Sequence, residues 1–180
     1  MTIQINYAKT ISKLSGNIVL FVDEKFNSSN IKKYITEFEF SYINDLLKTS
    51  DLKKNIFVFE LNSKRKIVLI SIKKNIKTFD VENLGAEFYG RTSHEKKSHY
   101  FINSDTIISK QENFIGYFLH GIKLKSYEFK KYKSKKTSKN ISINVFGVKN
   151  QLSARNRLKF KALEEGTFFA RDLVSEPGNI

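Results

Sequence analysis

The chain alternates short apolar runs with longer segments in which apolar residues return every three or four positions. Gly16-Asn17-Ile18-Val19-Leu20-Phe21-Val22 is nearly unbroken apolar sequence up to Asp23, which predicts a strand buried on both faces. Ser28-Ser29-Asn30 offers capping side chains ahead of Ile31, Tyr34, Ile35, Phe38, Tyr42, Leu46 and Leu47. That spacing predicts one long helix with those residues on its inner face. Residues 55–61 and 66–72 read as two strands, and the link Asn62-Ser63-Lys64-Arg65 is short enough for a hairpin.

A second helix is predicted from about Asp80, with Val81, Leu84, Phe88 and Tyr89 inward. Residues 98–103 form a strand, and a third helix over 112–122 presents Phe114, Ile115, Tyr117, Phe118 and Ile122. Residues 141–146 alternate apolar with polar positions, as a half-exposed strand does. A final helix runs over 153–174 and is broken by Ser175-Glu176-Pro177-Gly178. Strands alternating with helices predict an α/β layered domain, and the hairpin makes its sheet mixed.

At 180 residues and 20.9 kDa the chain is sized for one domain. A chain of this size buries about 70% of its unfolded surface, enough for a real core. It contains no cysteine, which excludes a disulfide scaffold, a thiolate zinc site and a cysteine nucleophile. No apolar run approaches the roughly 18 residues needed to span a bilayer. The start, Met1-Thr2-Ile3-Gln4-Ile5-Asn6-Tyr7, lacks the charged and apolar regions of a signal peptide. A soluble, intracellular, cytoplasmic protein is expected.

Charge adds a second theme. The formal net charge is +14, which raises a nucleic-acid reading. Only Arg65, Arg91, Arg155, Arg157 and Arg171 carry guanidinium groups; the other 27 basic side chains are lysines. Lysine is a point charge without the planar fork that reads bases and clamps phosphate. Lys, Asn, Ile, Phe and Tyr share AT-rich codons, so a base-composition bias in the genome is the expected source of much of the excess, with lysines spread over the surface. One stretch is denser than that. Lys123, Lys125, Lys130, Lys131, Lys133, Lys135, Lys136 and Lys139 face only Glu128, and Tyr127, Phe129 and Tyr132 interleave with them. The pattern could lay rings and cations along a nucleic-acid strand. The plainer expectation turns Tyr127 and Phe129 into the core and leaves the lysines in water.

Catalytic constellations are missing. His94 and His99 are five apart with no carboxylate at ligand spacing except Glu95, which faces elsewhere, and structural or surface roles are expected for both and for His120. Asp172 and Glu176 lie four apart on the last helix, where a helix-end salt link is the expected role. The eight glycines are scattered rather than grouped into a phosphate-cradling loop. No Gly-x-Ser-x-Gly elbow is present.

Two segments nevertheless carry a family likeness. The first is Gly121-Ile122-Lys123-Leu124-Lys125-Ser126-Tyr127-Glu128-Phe129-Lys130-Lys131-Tyr132-Lys133-Ser134-Lys135-Lys136. It resembles the Ser-Tyr-x-Phe and Tyr-Lys-Ser-Lys signature near the end of the N-terminal domain of the cytosol (leucyl) aminopeptidase family. The second, Glu165-Gly166-Thr167-Phe168-Phe169-Ala170-Arg171-Asp172-Leu173-Val174-Ser175-Glu176-Pro177-Gly178-Asn179, resembles the helix that leads into that family's catalytic domain. Ser175 and Gly178 depart from it, standing where asparagine and a second proline or small polar residue are usual.

The resemblance implies a macro-domain-like layered fold with a mixed central sheet flanked by helices, over residues 1–150. Residues 151–180 would be a linker helix and the approach to a catalytic domain. It also implies that the full-length protein is a cytoplasmic homo-hexamer removing N-terminal residues, leucine favoured, through two divalent metal ions, zinc or manganese. Those metal ligands belong to the family's C-terminal domain, so this chain alone is expected to be inactive, without catalytic residue, metal or other cofactor. The partner implied is the catalytic domain in cis. The alternative reading is a basic nucleic-acid-binding module built on 123–139, since some bacterial members bind DNA. Macro-domain likeness adds a nucleotide diphosphate as a third possibility, which fold analogy alone cannot carry.

Overall fold

Continuous apolar strands make the middle of the sheet, and strands that alternate apolar with polar residues extend it toward one edge. The computed structural model describes residues 2–11, 16–93, 97–129, 131–132 and 140–176. Among these, six strands pair into one sheet: β1 (Thr2–Ala8), β2 (Asn17–Val22), β3 (Ile56–Asn62), β4 (Arg65–Ser71), β5 (Lys97–Asn103) and β6 (Asn140–Phe146). The order is β1-β6-β5-β2-β4-β3. Every neighbouring pair is parallel except the β3–β4 hairpin. Four α-helices accompany them: α1 (Glu37–Thr49), α2 (Thr78–Thr92), α3 (Phe114–Ser126) and α4 (Ala154–Ser175).

Every residue of β2 is buried. Val19 and Phe21 point into a core closed by Val81, Leu84 and Phe88 of α2 and by Phe114, Ile115 and Phe118 of α3. Phe21 meets the rings of Phe114 and Phe118 edge-on, at 5.3 and 5.5 Å between centroids, the geometry aromatic quadrupoles prefer. Ile18, Leu20 and Val22 point the other way, against Ile31 and against Ile43 and Leu47 of α1. Helices thus cover both faces of a mixed sheet, the macro-domain-like layering that the resemblance implies.

The predicted long helix over Ile31 to Leu47 is instead two pieces. A 3-10 helix, Ser29–Tyr34, ends at extended Ile35, and α1 starts afresh at Glu37. The cause is a capping box: the Glu39 backbone N–H donates to Thr36 Oγ1, and the Thr36 backbone N–H donates to the Glu39 carboxylate. The restart turns Phe38 out to 79% exposure and leaves Tyr42 exposed, against the inner-face expectation for both. Arg65 then clamps the box, its guanidinium bonding both Glu39 oxygens and the Gly16 carbonyl.

Strand β1 is absent from the periodicity-based expectation. Thr2–Ala8 pairs in parallel with β6 as an edge strand, and only Ile3 among its described side chains is buried. Gln4, Asn6 and Ala8 face solvent, so the alternation is too polar to stand out as a core strand. The hairpin, β5, β6 with its inward Ile141, Ile143 and Val145, and the final helix lie where predicted.

α2 and α3 touch backbone to backbone. A Cβ at Gly85 would stand 2.0 Å from the Phe118 carbonyl oxygen, and one at Gly121 would stand 1.9 Å from that of Glu82. Each helix contributes the glycine that admits the other, and scattered spacing hid their joint purpose.

Candidate functional site

α4 lies on α3 along a seam that gathers both segments of family likeness. Ser153 caps its start by accepting from the Asn156 backbone N–H. Phe160 is the buried residue of the helix; its ring sits where a Gly116 Cβ would be, 2.1 Å from Cε2, and edge-on to Tyr117 at 5.0 Å. One turn further, Lys123 Nζ donates to Glu164 at 3.0 Å between half-buried side chains. Such a charge-assisted bond contributes about 1.5–3 kcal/mol. Arg171 then donates to the Leu124 carbonyl at 2.7 Å, closing an open carbonyl near the end of α3.

The stretch after α3 continues the seam. Tyr127 packs its ring against Phe168 at 5.2 Å and donates its hydroxyl to Asp172 at 2.6 Å. Burial first, then that hydrogen bond, pushes the Tyr127 phenol up. Lys131 and the Tyr132 hydroxyl both bond the Glu176 carboxylate. Hydrogen bonds from Lys131 and then Tyr132 hold that carboxyl below its ordinary value, and the same contact raises the Lys131 ammonium. The arrangement is a clasp: cations and phenols of the basic stretch face carboxylates of the last helix.

This places part of the predicted lysine cluster. Lys123 and Lys131 are turned to α4, while Lys125 is exposed. Lys130, Lys133, Lys135, Lys136 and Lys139 lie outside the described residues. Tyr127 is half-buried against Phe168 of α4, and Phe129 is half-buried beside the Tyr132 ring, rather than either being sunk in the sheet core, which corrects the inward expectation. The Glu176 salt link expected at the helix end is present, with Lys131 rather than a neighbour on the same helix. Separations of 41 and 45 residues between partners left no local signal for these pairs.

α/β sheets usually take ligands at the carboxyl ends of their parallel strands, and beyond β5 and β6 the chain itself fills that place. Asp105 Oδ1 accepts from the backbone N–H groups of Val148 and Lys149 at 2.8 and 2.6 Å. Successive amides of this kind could cradle a phosphate; here a carboxylate already fills them. Gly147, at φ +128°, leaves no room for a Cβ against Ser104 Oγ, whose hydroxyl bonds the Phe146 and Lys149 carbonyls. A separate cleft of about 430 Å³ at the ends of β2 and β4 is lined by Glu24, Ser71, Lys73, Asp80 and Glu87. Its carboxylates repel a pyrophosphate, so neither place favours a nucleotide diphosphate.

His120 Nδ1–H donates to the Glu82 carboxylate at 2.7 Å, with Phe160 beside the ring, and His99 Nε2 hydrogen-bonds the Asn144 side-chain amide while its ring lies tilted against Phe101 at 4.5 Å. His94 lies outside the described residues. Among the described residues, no group of three or more His, Asp or Glu is placed to hold a metal ion. The donors among the described residues do not fit the paired metals that the resemblance implies. No helix among the described residues is long and apolar enough to cross a membrane.

No protein-family model matches the chain, and no curated protein matches it in sequence. Solved structures do. A mutant of tomato leucine aminopeptidase superposes at a TM-score of 0.68 and 14% identity over 99% of this chain and 39% of its own. Cytosol aminopeptidase from Coxiella burnetii gives 0.57 and 14% over 95% and 33%. The bottromycin maturation enzyme BotP, in complex with Mn, gives 0.58 and 10% over 91% and 32%. The chain spans about a third of the length of these enzymes. Over nearly all its residues it has the fold of a leucine aminopeptidase portion, consistent with that family's N-terminal domain.

Proposed function

We propose that this chain is the non-catalytic N-terminal domain of a leucyl-aminopeptidase-like metallopeptidase. Residues 1–150 form the layered unit, and 151–180 carry the chain toward a catalytic domain in cis. The observation that carries the reading is the clasp between the basic stretch and α4. The two segments of family likeness meet there, in a fold that superposes on the tomato enzyme over 99% of its residues. The domain's work is to hold α4 at a fixed angle and so orient the catalytic domain joined to it. Hydrolysis of N-terminal residues, the two zinc or manganese ions, hexamer assembly and a cytoplasmic setting would belong to the full-length protein.

Lys123 and Lys131 spend their charge on α4, which favours this reading over a nucleic-acid module on 123–139. Reading the gene downstream of codon 180 tests it. An open frame carrying clustered Asp, Glu and Lys metal ligands is expected. A stop codon there, with no separately encoded catalytic domain that binds this chain, would refute it.

A further inference from the structure

The cleft of about 430 Å³ beyond β2 and β4 belongs neither to the clasp nor to the amides that Asp105 fills. It lies at the carboxyl ends of two parallel strands, where layered α/β folds take small ligands, and its size suits one. One wall is a stripe of α2, with Asp80, Asn83, Leu84 and Glu87 at helical spacing. Leu84 and Ile76, 6% and 8% exposed, give it an apolar floor.

Two polar groups of the lining are left open. Asp80 is half-buried in the first turn of α2, where the helix dipole favours an acid. Its carboxylate makes no hydrogen bond or ion pair with the described residues. Ser71 is 9% exposed; its backbone N–H goes to the Asn55 carbonyl, but its hydroxyl has no partner among the described residues. Buried hydroxyls are ordinarily hydrogen-bonded, so an open one on a residue lining a cleft marks a position for a ligand atom. The other charges are engaged: Glu87 holds Arg91 at 2.7 Å, and Glu24 lies 4.0 Å from Lys73.

These open groups define the ligand's chemistry. A carboxylate and a hydroxyl both accept hydrogen bonds, which calls for a donor-rich cation. The lining holds three carboxylates against one lysine, in a chain whose net charge is +14. A metal ion does not suit it, because among the described residues no three carboxylates or imidazoles converge. Asp80 and Glu87 stand two turns apart on α2, about 10 Å along the axis. Lys53, Lys54, Lys74 and Lys77 of the adjoining loops are exposed and do not line the cleft; their repulsion lowers the affinity and is screened by salt. We propose that the cleft binds an aliphatic primary amine: the ammonium donates to Asp80 and to the Ser71 hydroxyl, and the alkyl body lies on Leu84 and Ile76. This site goes beyond the aminopeptidase reading and does not rest on it.

A backbone-amide NMR titration of the full chain tests the proposal, with n-butylamine, 1,4-diaminobutane and leucinamide as probes and 1-butanol and magnesium chloride as controls. Expected are saturable shifts at Ser71, Asn83 and Leu84, with a Kd of about 0.1–1 mM for the best amine and none from either control up to about 10 mM. Asp80→Asn should weaken binding about tenfold or more, and Ser71→Ala about threefold or more, while peaks away from the cleft stay in place. Glu37→Gln, which removes an exposed acid elsewhere, should change nothing. A diamine tighter than n-butylamine assigns the site to polyamines, with Glu24 taking the second ammonium; leucinamide tighter than both assigns it to a free amino terminus. No saturable shift from any amine would overturn the proposal. So would binding indifferent to both D80N and S71A, or magnesium shifting the same amides at equal concentration.

Discussion

Phe160→Ala isolates the contact that seats α4. Its ring is 9% exposed and fills space that Gly116, lacking a Cβ, cannot occupy. Truncating a buried phenylalanine costs about 3–5 kcal/mol in transfer and cavity terms together. At a seam between two helices, partial collapse is easier than in the sheet core, so about 3 kcal/mol is expected, over a hundredfold in the folding equilibrium. Urea unfolding at low protein concentration measures it as a shift in midpoint at constant slope. Leu158→Ala, two residues away but 68% exposed, should stay within about 0.5 kcal/mol. If the two variants proved equal, or Phe160→Ala cost under about 1 kcal/mol, α4 would not be docked as described.

Three other outcomes rest on the geometry. Gly121→Ala drives a Cβ into the Glu82 carbonyl of α2 and should destabilise by about 3 kcal/mol or more, whereas Gly90→Ala, in open space, should stabilise by about 0.5–1 kcal/mol; thermal unfolding reads both. Burial pushes the Glu39 carboxyl up, but the Arg65 and Thr36 bonds outweigh it, so its folded value lies below the unfolded one. Its contribution is therefore fully present above the ordinary carboxyl value of the unfolded chain and is lost as pH falls through the lower folded value. Glu39→Gln should cost about 2–3 kcal/mol at neutral pH and flatten the acid limb of the stability curve. Finally, any affinity for single-stranded oligonucleotides should change little on Lys123→Gln, because that lysine faces Glu164; a marked loss would assign it to nucleic acid.

The sequence carries the sheet's centre well and its edges poorly. β2 and β4 are continuous apolar runs because both faces are covered, and such runs need no partner to be recognised. β1 is hidden because one face of an edge strand is solvent, and Gln4, Asn6 and Ala8 occupy it. The split before α1 has a legible signal, Thr36 followed by Glu39, which the longer apolar periodicity overrides. The lysine cluster is legible as charge, but its partners are not. Glu164, Asp172 and Glu176 sit more than 40 residues away, and pairing at that distance is decided by the packing of α4 on α3. The family likeness supplies what periodicity cannot, namely that those two stretches belong together.

The most direct measurement is a calorimetric titration of the purified chain with manganese and with zinc, run beside a leucyl-amide hydrolysis assay. A non-catalytic domain should show no saturable binding of two ions and no leucine release above the uncatalysed rate. Two equivalents of metal bound tightly, with turnover that a chelator removes, would contradict the account.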